Sequence, residues 1–165
     1  MAPRISLPAA PRGTLTRDMT KNQRTELINT HRAIESVLEA GLDVAMPLKD
    51  DGIDLVCYVS KGDGPWISVA VQVKSRFEID KKYLSRPGLV MCFVSPEKIY
   101  VLTHERAVEI ALVRGYLNED NVSWRDLGGY SAAIGQSLSR DLDSCIATPD
   151  RWRAIFAEAA AAPRA

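Results

Sequence analysis

The sequence predicts a mixed α/β domain in which a central β-sheet is flanked by helices. Three observations support this fold class: a capped helical stretch near the N-terminus, two pairs of strand-like runs in the middle, and two helical stretches after them. The order of one helix, four strands and two helices indicates a mixed sheet with helices packed on it. With 165 residues, 46% of them hydrophobic and 25% charged, the chain is long enough to bury one core.

Residues 1 to 19 are predicted to form a flexible basic arm, because they contain three prolines and no hydrophobic periodicity. Residues 20 to 165 are predicted to form a single domain. No apolar run approaches the roughly 20 residues that cross a bilayer, and residues 1 to 13 lack the apolar centre of a signal peptide. We therefore expect a cytoplasmic protein without membrane contacts. The three cysteines have no C-x-x-C spacing and are expected to be buried and reduced.

The first helix is predicted to run from Lys21 to Ala40. Thr20 and Gln23 have the spacing of a capping box, and Gly41 is a helix stop signal. One apolar stripe follows the helical period and is expected to face the core: Leu27, His31, Ile34 and Leu38.

A β-hairpin is predicted from residues 53–60 and 66–75, because a short turn segment rich in Gly and Pro separates them. The odd-numbered residues of both strands form an aliphatic face that can cover the first helix. If Ser60 pairs with Trp66, Asp54 lies directly opposite Gln72, with their Cβ atoms about 5 Å apart.

The remaining elements are less regular. Residues 88–95 and 98–102 are expected to form a second strand pair, preceded by a short helix at 80–84. A helix is predicted from Thr103 to Gly115, and residues 121–127 are interpreted as a short strand or turn. Thr148 and Pro149 are expected to begin a final helix that ends near Ala161.

The polar face of the hairpin carries the residues with the clearest chemistry. Asp54, Gln72 and Lys74 are expected to share this face, which brings oxygen ligands and an ammonium group together. Mg²⁺ prefers oxygen ligands, and the Asp54 carboxylate, the Gln72 amide and the Val73 backbone carbonyl could provide them. Lys74 could then orient a nucleophile and offset charge that develops on a phosphate.

These residues resemble the D…(E/Q)-x-K signature of the PD-(D/E)xK nuclease-like superfamily. The resemblance covers residues 20 to 113 and rests on Gly52-Ile53-Asp54-Leu55-Val56 and Val71-Gln72-Val73-Lys74, together with the order of helix, hairpin and strand. It implies a restriction-endonuclease-like core. The chain departs from the pattern because no proline precedes Asp54 and because Gln72 replaces the usual acidic residue.

The resemblance also implies hydrolysis of a nucleic-acid phosphodiester with Mg²⁺ or Mn²⁺. The implied metal ligands are Asp54, Gln72 and the Val73 carbonyl, and the implied catalytic lysine is Lys74. Many members place a glutamate of the first helix near the metal. We assign this role to Glu26, because Glu35 lies on the opposite, solvent-like side of the same helix.

The formal net charge is zero, so nucleic-acid binding would depend on local clusters of basic residues. One cluster spans the predicted arm and the start of the first helix, at Arg4, Arg12, Arg17, Lys21 and Arg24. A second follows the motif, at Lys74, Arg76, Lys81, Lys82 and Arg86. We expect DNA rather than RNA as the partner. A catalytically weak or inactive module that binds nucleic acid or protein is the alternative, and homodimerisation is left open.

His31, His104 and Trp152 are interpreted as structural residues.

Overall fold

The computed structural model describes residues 19–49, 51–59 and 66–163. The predicted arm lies outside these residues except for Met19, and so does the hairpin turn at 60–65. The helices are α1 Lys21–Glu39, α2 His104–Val113, α3 Val122–Leu127, α4 Gln136–Asp141 and α5 Pro149–Ala160. The strands are β1 Asp43–Ala45, β2 Leu55–Val59, β3 Ile67–Lys74, β4 Phe77–Asp80, β5 Val90–Val94, β6 Ile99–Thr103 and β7 Gly129–Ala132.

A five-stranded mixed sheet forms the centre of the fold, with the strand order β1-β2-β3-β5-β6. β3 pairs antiparallel with β2 and parallel with β5, while β1–β2 and β5–β6 are antiparallel. The predicted hairpin register is confirmed, since Leu55 lies opposite Val71 and Val59 opposite Ile67. A separate two-stranded sheet, β4 with β7, lies beyond the end of β3.

The two faces of the sheet contribute to two separate hydrophobic clusters. The odd-numbered side chains of the hairpin, including Leu55, Cys57 and Val71, pack with α1 and α5 in the first cluster. The other cluster contains Phe93 and Leu102 of the central sheet with side chains of β4 and α2. Helices therefore flank the sheet, as the sequence predicted.

The helix caps explain where the main helices begin. In α1 the Gln23 N–H donates to the Thr20 hydroxyl and the Gln23 side chain accepts from the Thr20 N–H, which is the predicted capping box. Thr103 and Thr148 are the N-caps of α2 and α5, where their hydroxyls accept from the N–H groups of Arg106 and Arg151.

The predicted core stripe of α1 is wrong. His31 is exposed, Leu27 and Leu38 are 46% and 52% exposed, and Ile34 is only partly buried. The helix instead buries Asn29, Ala33, Ser36 and Val37, and Ala40 directly after it is buried as well. These small side chains allow the helix backbone to approach the sheet and α5, whereas the larger residues of the stripe remain on the outer side.

The second half of the chain also differs from the expectation. Residues 121–127 contain helix α3, because the Asn121 side chain accepts from the Trp124 N–H and Gly128 ends the helix at a φ of 75°. β1, β4, β7 and α4 were not predicted, since each has only three to six residues and too little periodicity.

All three cysteines are buried and free, as expected. Burial raises the pKa of the Cys57 thiol to about 12, which keeps it protonated and unreactive. Within the described ranges, no helix combines the length and apolarity needed to cross a membrane.

Trp152 provides a test of the packing between α5 and α1. Its side chain is 1% exposed and its indole N–H donates to the Ser36 hydroxyl at 2.8 Å. We expect Trp152→Ala to lower the free energy of unfolding by about 3 to 5 kcal/mol, because it leaves a large cavity. Trp66 is 68% exposed, and Trp66→Ala should cost about 1 kcal/mol or less. Urea denaturation measures both, and equal losses would contradict the buried position of Trp152 between the two helices.

Candidate active site

A concavity of about 350 Å³ lies between the first half of α1 and the adjoining ends of β2 and β3. All but one of its lining residues have polar side chains, Val73 being the exception: Lys21, Asn22, Thr25, Glu26, Asn29, Thr30, Asp54, Val73, Lys74, Ser75 and Glu78. Four of the five predicted site residues therefore meet at one surface, namely Asp54, Glu26, Val73 and Lys74. Gln72 is not among the lining residues.

Asp54 is held where the β2–β3 ladder ends. Its backbone N–H donates to the Val71 carbonyl at 3.0 Å, and its Oδ2 accepts from the Val73 N–H at 2.7 Å. The Val73 N–H thus donates to a side-chain carboxylate and not to a backbone carbonyl of the neighbouring strand. The regular strand therefore begins at Leu55 and not at Ile53, where it was predicted to begin. A short, charge-assisted hydrogen bond to the backbone restricts the carboxylate rotamer.

The turn before Asp54 rests on Tyr83. Gly52 has a φ of +81°, a conformation that favours glycine, and its carbonyl accepts from the Tyr83 hydroxyl at 3.3 Å. A Cβ at position 52 would lie 2.1 Å from the Tyr83 hydroxyl oxygen. The sequence pattern did not identify Tyr83, because it lies about 30 residues from the turn that it supports.

Gln72 points away from the concavity. The side chain is 3% exposed and its Nε2 donates to the Tyr83 hydroxyl at 2.6 Å. Within the described parts of the chain its Oε1 is buried without a hydrogen-bond partner. The predicted register therefore holds, but the Asp54 carboxylate turns to the Val73 N–H and the Gln72 amide turns to Tyr83, so the two groups do not meet.

The surroundings of Tyr83 are polar and densely packed. The His104 ring meets the Tyr83 ring edge-on at 5.7 Å between centroids, and the Lys82 ammonium and the Arg86 guanidinium lie over the Tyr83 ring. Burial lowers the pKa of His104 below its usual range, against the opposing effect of Glu105 and Asp80. A neutral imidazole buried beside Tyr83 fits the structural role predicted for His104.

Lys74 extends into the concavity and pairs with Glu78, at 3.0 Å between Nζ and Oε1. Both side chains are partly exposed, so a solvated anion could compete for the ammonium group. Glu78 was not singled out from the sequence. It lies on β4, and the turn at Ser75 and Arg76 that brings it back towards Lys74 was not predicted.

The choice between the two glutamates of α1 agrees with their positions. Glu26 lines the concavity, and Glu35 borders a groove on the outer side of the helix. The lining contains three carboxylates, Glu26, Asp54 and Glu78, and two ammonium groups, Lys21 and Lys74. This excess of negative charge suits a cation better than a bare phosphate.

The donor types at this surface fit Mg²⁺ or Mn²⁺, because carboxylate and carbonyl oxygens are the ligands that these ions prefer. Among residues 19–49, 51–59 and 66–163, however, no three His, Cys, Asp or Glu side chains are grouped so that they could hold a metal by themselves. An ion here would need the Val73 carbonyl, water or substrate oxygens to complete its coordination, which is common for Mg²⁺.

The support of the Gly52 turn by Tyr83 can be tested with a matched pair of substitutions. Gly52→Ala should lower the free energy of unfolding by roughly 2 to 5 kcal/mol, because it combines backbone strain with a clash. Gly41 has a similar φ of +74°, but no atom of the described residues lies within 4 Å of the place that a Cβ would take. Gly41→Ala should therefore cost only about 1 to 2 kcal/mol.

In a Tyr83→Phe background the clashing hydroxyl is absent. The added cost of Gly52→Ala, measured by urea denaturation as a double-mutant cycle, should then fall towards that of Gly41→Ala. An unchanged cost would show that Tyr83 does not support the turn.

The concavity offers carboxylates, a backbone carbonyl and an ammonium group in a setting open to solvent. These groups suit chemistry on a phosphate ester with help from a divalent cation. No protein-family model, no curated protein and no solved structure matches this chain. The similarity to PD-(D/E)xK nucleases therefore rests on the motif residues and on the order of the elements around them.

Proposed function

We propose that this protein hydrolyses phosphodiester bonds of nucleic acid, DNA in preference to RNA, with the help of Mg²⁺ or Mn²⁺. One observation carries the proposal: Asp54, Glu26 and Lys74, which are far apart in the sequence, line the same concavity. The order of α1, the β2–β3 hairpin and the parallel strand β5 supports a restriction-endonuclease-like core.

Asp54, Glu26 and the carbonyl of Val73 would hold the metal ion. When bound, the ion supplies positive charge to the phosphate oxygens and lowers the cost of nucleophilic attack. The excess of carboxylates over ammonium groups in the lining favours cation uptake. The hydrogen bond from the Val73 N–H keeps the Asp54 carboxylate oriented before any ligand arrives.

Lys74 has the role of an electrostatic stabiliser. In the present arrangement its ammonium group is paired with Glu78, and a substrate phosphate would compete with that carboxylate. Once it donates to a phosphate oxygen, Lys74 offsets the negative charge that builds up in the transition state. Glu78 would then set how readily the ammonium group is released to the substrate.

The nucleic-acid partner is supported by basic side chains that follow Lys74 in the chain. Arg76, Lys81, Lys82 and Arg86 are exposed, and Arg76 donates to the Ser131 hydroxyl while the Lys81 ammonium lies over the Trp124 ring. Such groups can contact phosphates and position a duplex without reading its sequence. The predicted cytoplasmic location remains part of this proposal. A homodimer, which the sequence left open, would supply the two sites that cleavage of both strands requires.

A second candidate is a nuclease-like module that binds nucleic acid or protein with little or no cleavage. The observation that favours it is the orientation of Gln72, whose amide is bonded to Tyr83 outside the concavity. The ion pair between Lys74 and Glu78 points the same way, because it occupies the ammonium group. Cleavage and metal-binding measurements separate the two candidates.

Plasmid nicking with Mg²⁺ or Mn²⁺ tests the proposed activity. Asp54→Ala and Lys74→Ala should each reduce the nicking rate by at least about a hundredfold, because each removes a charged group from the concavity. Asp43→Ala is the control for the carboxylate, since Asp43 is exposed on β1 opposite Tyr58, near the other end of the hairpin. Lys98→Ala is the control for the lysine, since Lys98 pairs with Asp143 and does not line the concavity.

Both controls should retain wild-type rates, and a chelator should abolish nicking by all active variants. Wild-type protein without any metal-dependent nicking would favour the non-catalytic module. Nicking that survives in both Asp54→Ala and Lys74→Ala would place the activity elsewhere.

Calorimetric titration with Mn²⁺ tests the ligand assignment. Asp54→Asn should weaken Mn²⁺ binding by at least about tenfold, because it removes the charge of a proposed ligand. Gln72→Glu should lower the melting temperature of the metal-free protein, since it introduces a buried carboxylate where an amide now donates to Tyr83. If Gln72 stays outside the site, this variant leaves Mn²⁺ affinity unchanged; tighter binding would show that residue 72 reaches the metal, as the sequence predicted.

A further inference from the structure

Helix α1 presents an apolar face to solvent on the side opposite the sheet. Leu27, Ile28 and Leu38 are 46%, 58% and 52% exposed, and Ile34 is half-buried between them. They recur at helical spacing around the exposed His31, so they form one continuous strip about three turns long. Scattered exposed apolar residues are common in proteins, whereas a continuous strip on one helix indicates a contact surface.

Charged residues along one flank of this strip are sorted by sign. Lys21 and Arg24 lie at its N-terminal end, and Glu35 and Glu39 lie at its C-terminal end. All four side chains are exposed, and none has an ion-pair partner in the described part of the chain. At about 100° per residue they project to the same side as Ile28. The strip is therefore basic at one end and acidic at the other.

We propose that this face binds the same face of a second copy of the chain, with the two α1 helices antiparallel about a two-fold axis near His31. In antiparallel helix pairs, each flank of one helix meets the corresponding flank of its partner. Lys21 and Arg24 of one copy then lie beside Glu39 and Glu35 of the other, and this contact occurs twice.

The apolar residues fit the same arrangement. A two-fold axis near His31 sets Leu27 of one copy beside Leu38 of the other on the flank away from the charges, and this contact also occurs twice. A parallel pairing would set the charged flank of each helix against the opposite flank of its partner, so it would form no such ion pairs. Glu26 and Asn29, which line the concavity, project from the opposite side of the helix, and Lys21 borders both surfaces, so the dimer leaves both concavities open. The proposed dimer does not depend on the proposed nuclease activity.

Sedimentation of the full-length protein over a broad concentration series tests the dimer. We expect wild-type protein to dimerise reversibly, and Leu38→Glu to weaken the association at least about a hundredfold, because both copies lose an apolar contact and gain a buried charge. Leu112→Glu is the control, since Leu112 is 57% exposed on α2; it should dimerise like wild type.

Melting temperatures of the same variants show whether Leu38 is covered within one chain. A wild-type protein that stays monomeric overturns the proposal. A sharp fall in the melting temperature of the monomeric protein on Leu38→Glu also overturns it, because such a fall would mean that another segment of the same chain covers the strip.

Charge reversal tests the antiparallel orientation. At low salt, Arg24→Glu and Glu35→Arg should each weaken self-association roughly tenfold, because each sets like charges together twice in the dimer. An equimolar mixture of the two variants should form a heterodimer with near wild-type affinity, since each altered charge then meets an opposite one. Failure of the mixture to associate better than the separate variants would overturn the antiparallel arrangement.

Discussion

The pairing of β3 with strands on both sides constrains most of this structure. β3 pairs with β2 through its first part, residues 67–71, and with β5 through its second part, residues 71–74, so every residue of the strand is paired on at least one side. Its side chains alternate between two hydrophobic clusters, with Val69 and Val71 in one and Ala70 beside the other. A polar residue at a buried position of this strand needs a partner inside the protein, because an unpaired buried polar group is costly.

Gln72 and Lys74 show the two outcomes of this constraint. Gln72 lies within the paired region and donates to Tyr83, which also holds the Gly52 carbonyl. Lys74 ends the strand and reaches solvent, where it pairs with Glu78. The same strand therefore supports the turn that precedes Asp54 and supplies a charged group to the concavity. This coupling explains how a buried amide can influence the site without lining it.

Helix α1 serves two surfaces besides its buried face. Its first turns line the concavity through Glu26 and Asn29, and its outer side carries the apolar strip around His31. The face that packs on the sheet is made of small residues such as Ala33 and Ala40. Close approach of the helix maximises packing contacts with the sheet, and it leaves the bulkier residues available for contacts elsewhere.

The sequence by itself determined the local features of this protein. The capping box at Thr20, the helix starts at Thr103 and Thr148, the hairpin register and the aliphatic face of its strands follow from short-range chemistry, and the structure agrees with each. Short-range patterns also singled out Asp54 and Lys74, and the resemblance to PD-(D/E)xK nucleases pointed to Glu26; all three line one concavity.

Only the tertiary structure decided which apolar face of α1 is buried, because periodicity identifies apolar faces but not their partners. It also decided the orientation of Gln72 and the contributions of Tyr83 and Glu78. The positions of these side chains depend on contacts between residues that are distant in the sequence, and no periodic pattern reports such contacts. A buried polar side chain points towards the hydrogen-bond partner that the folded chain offers it.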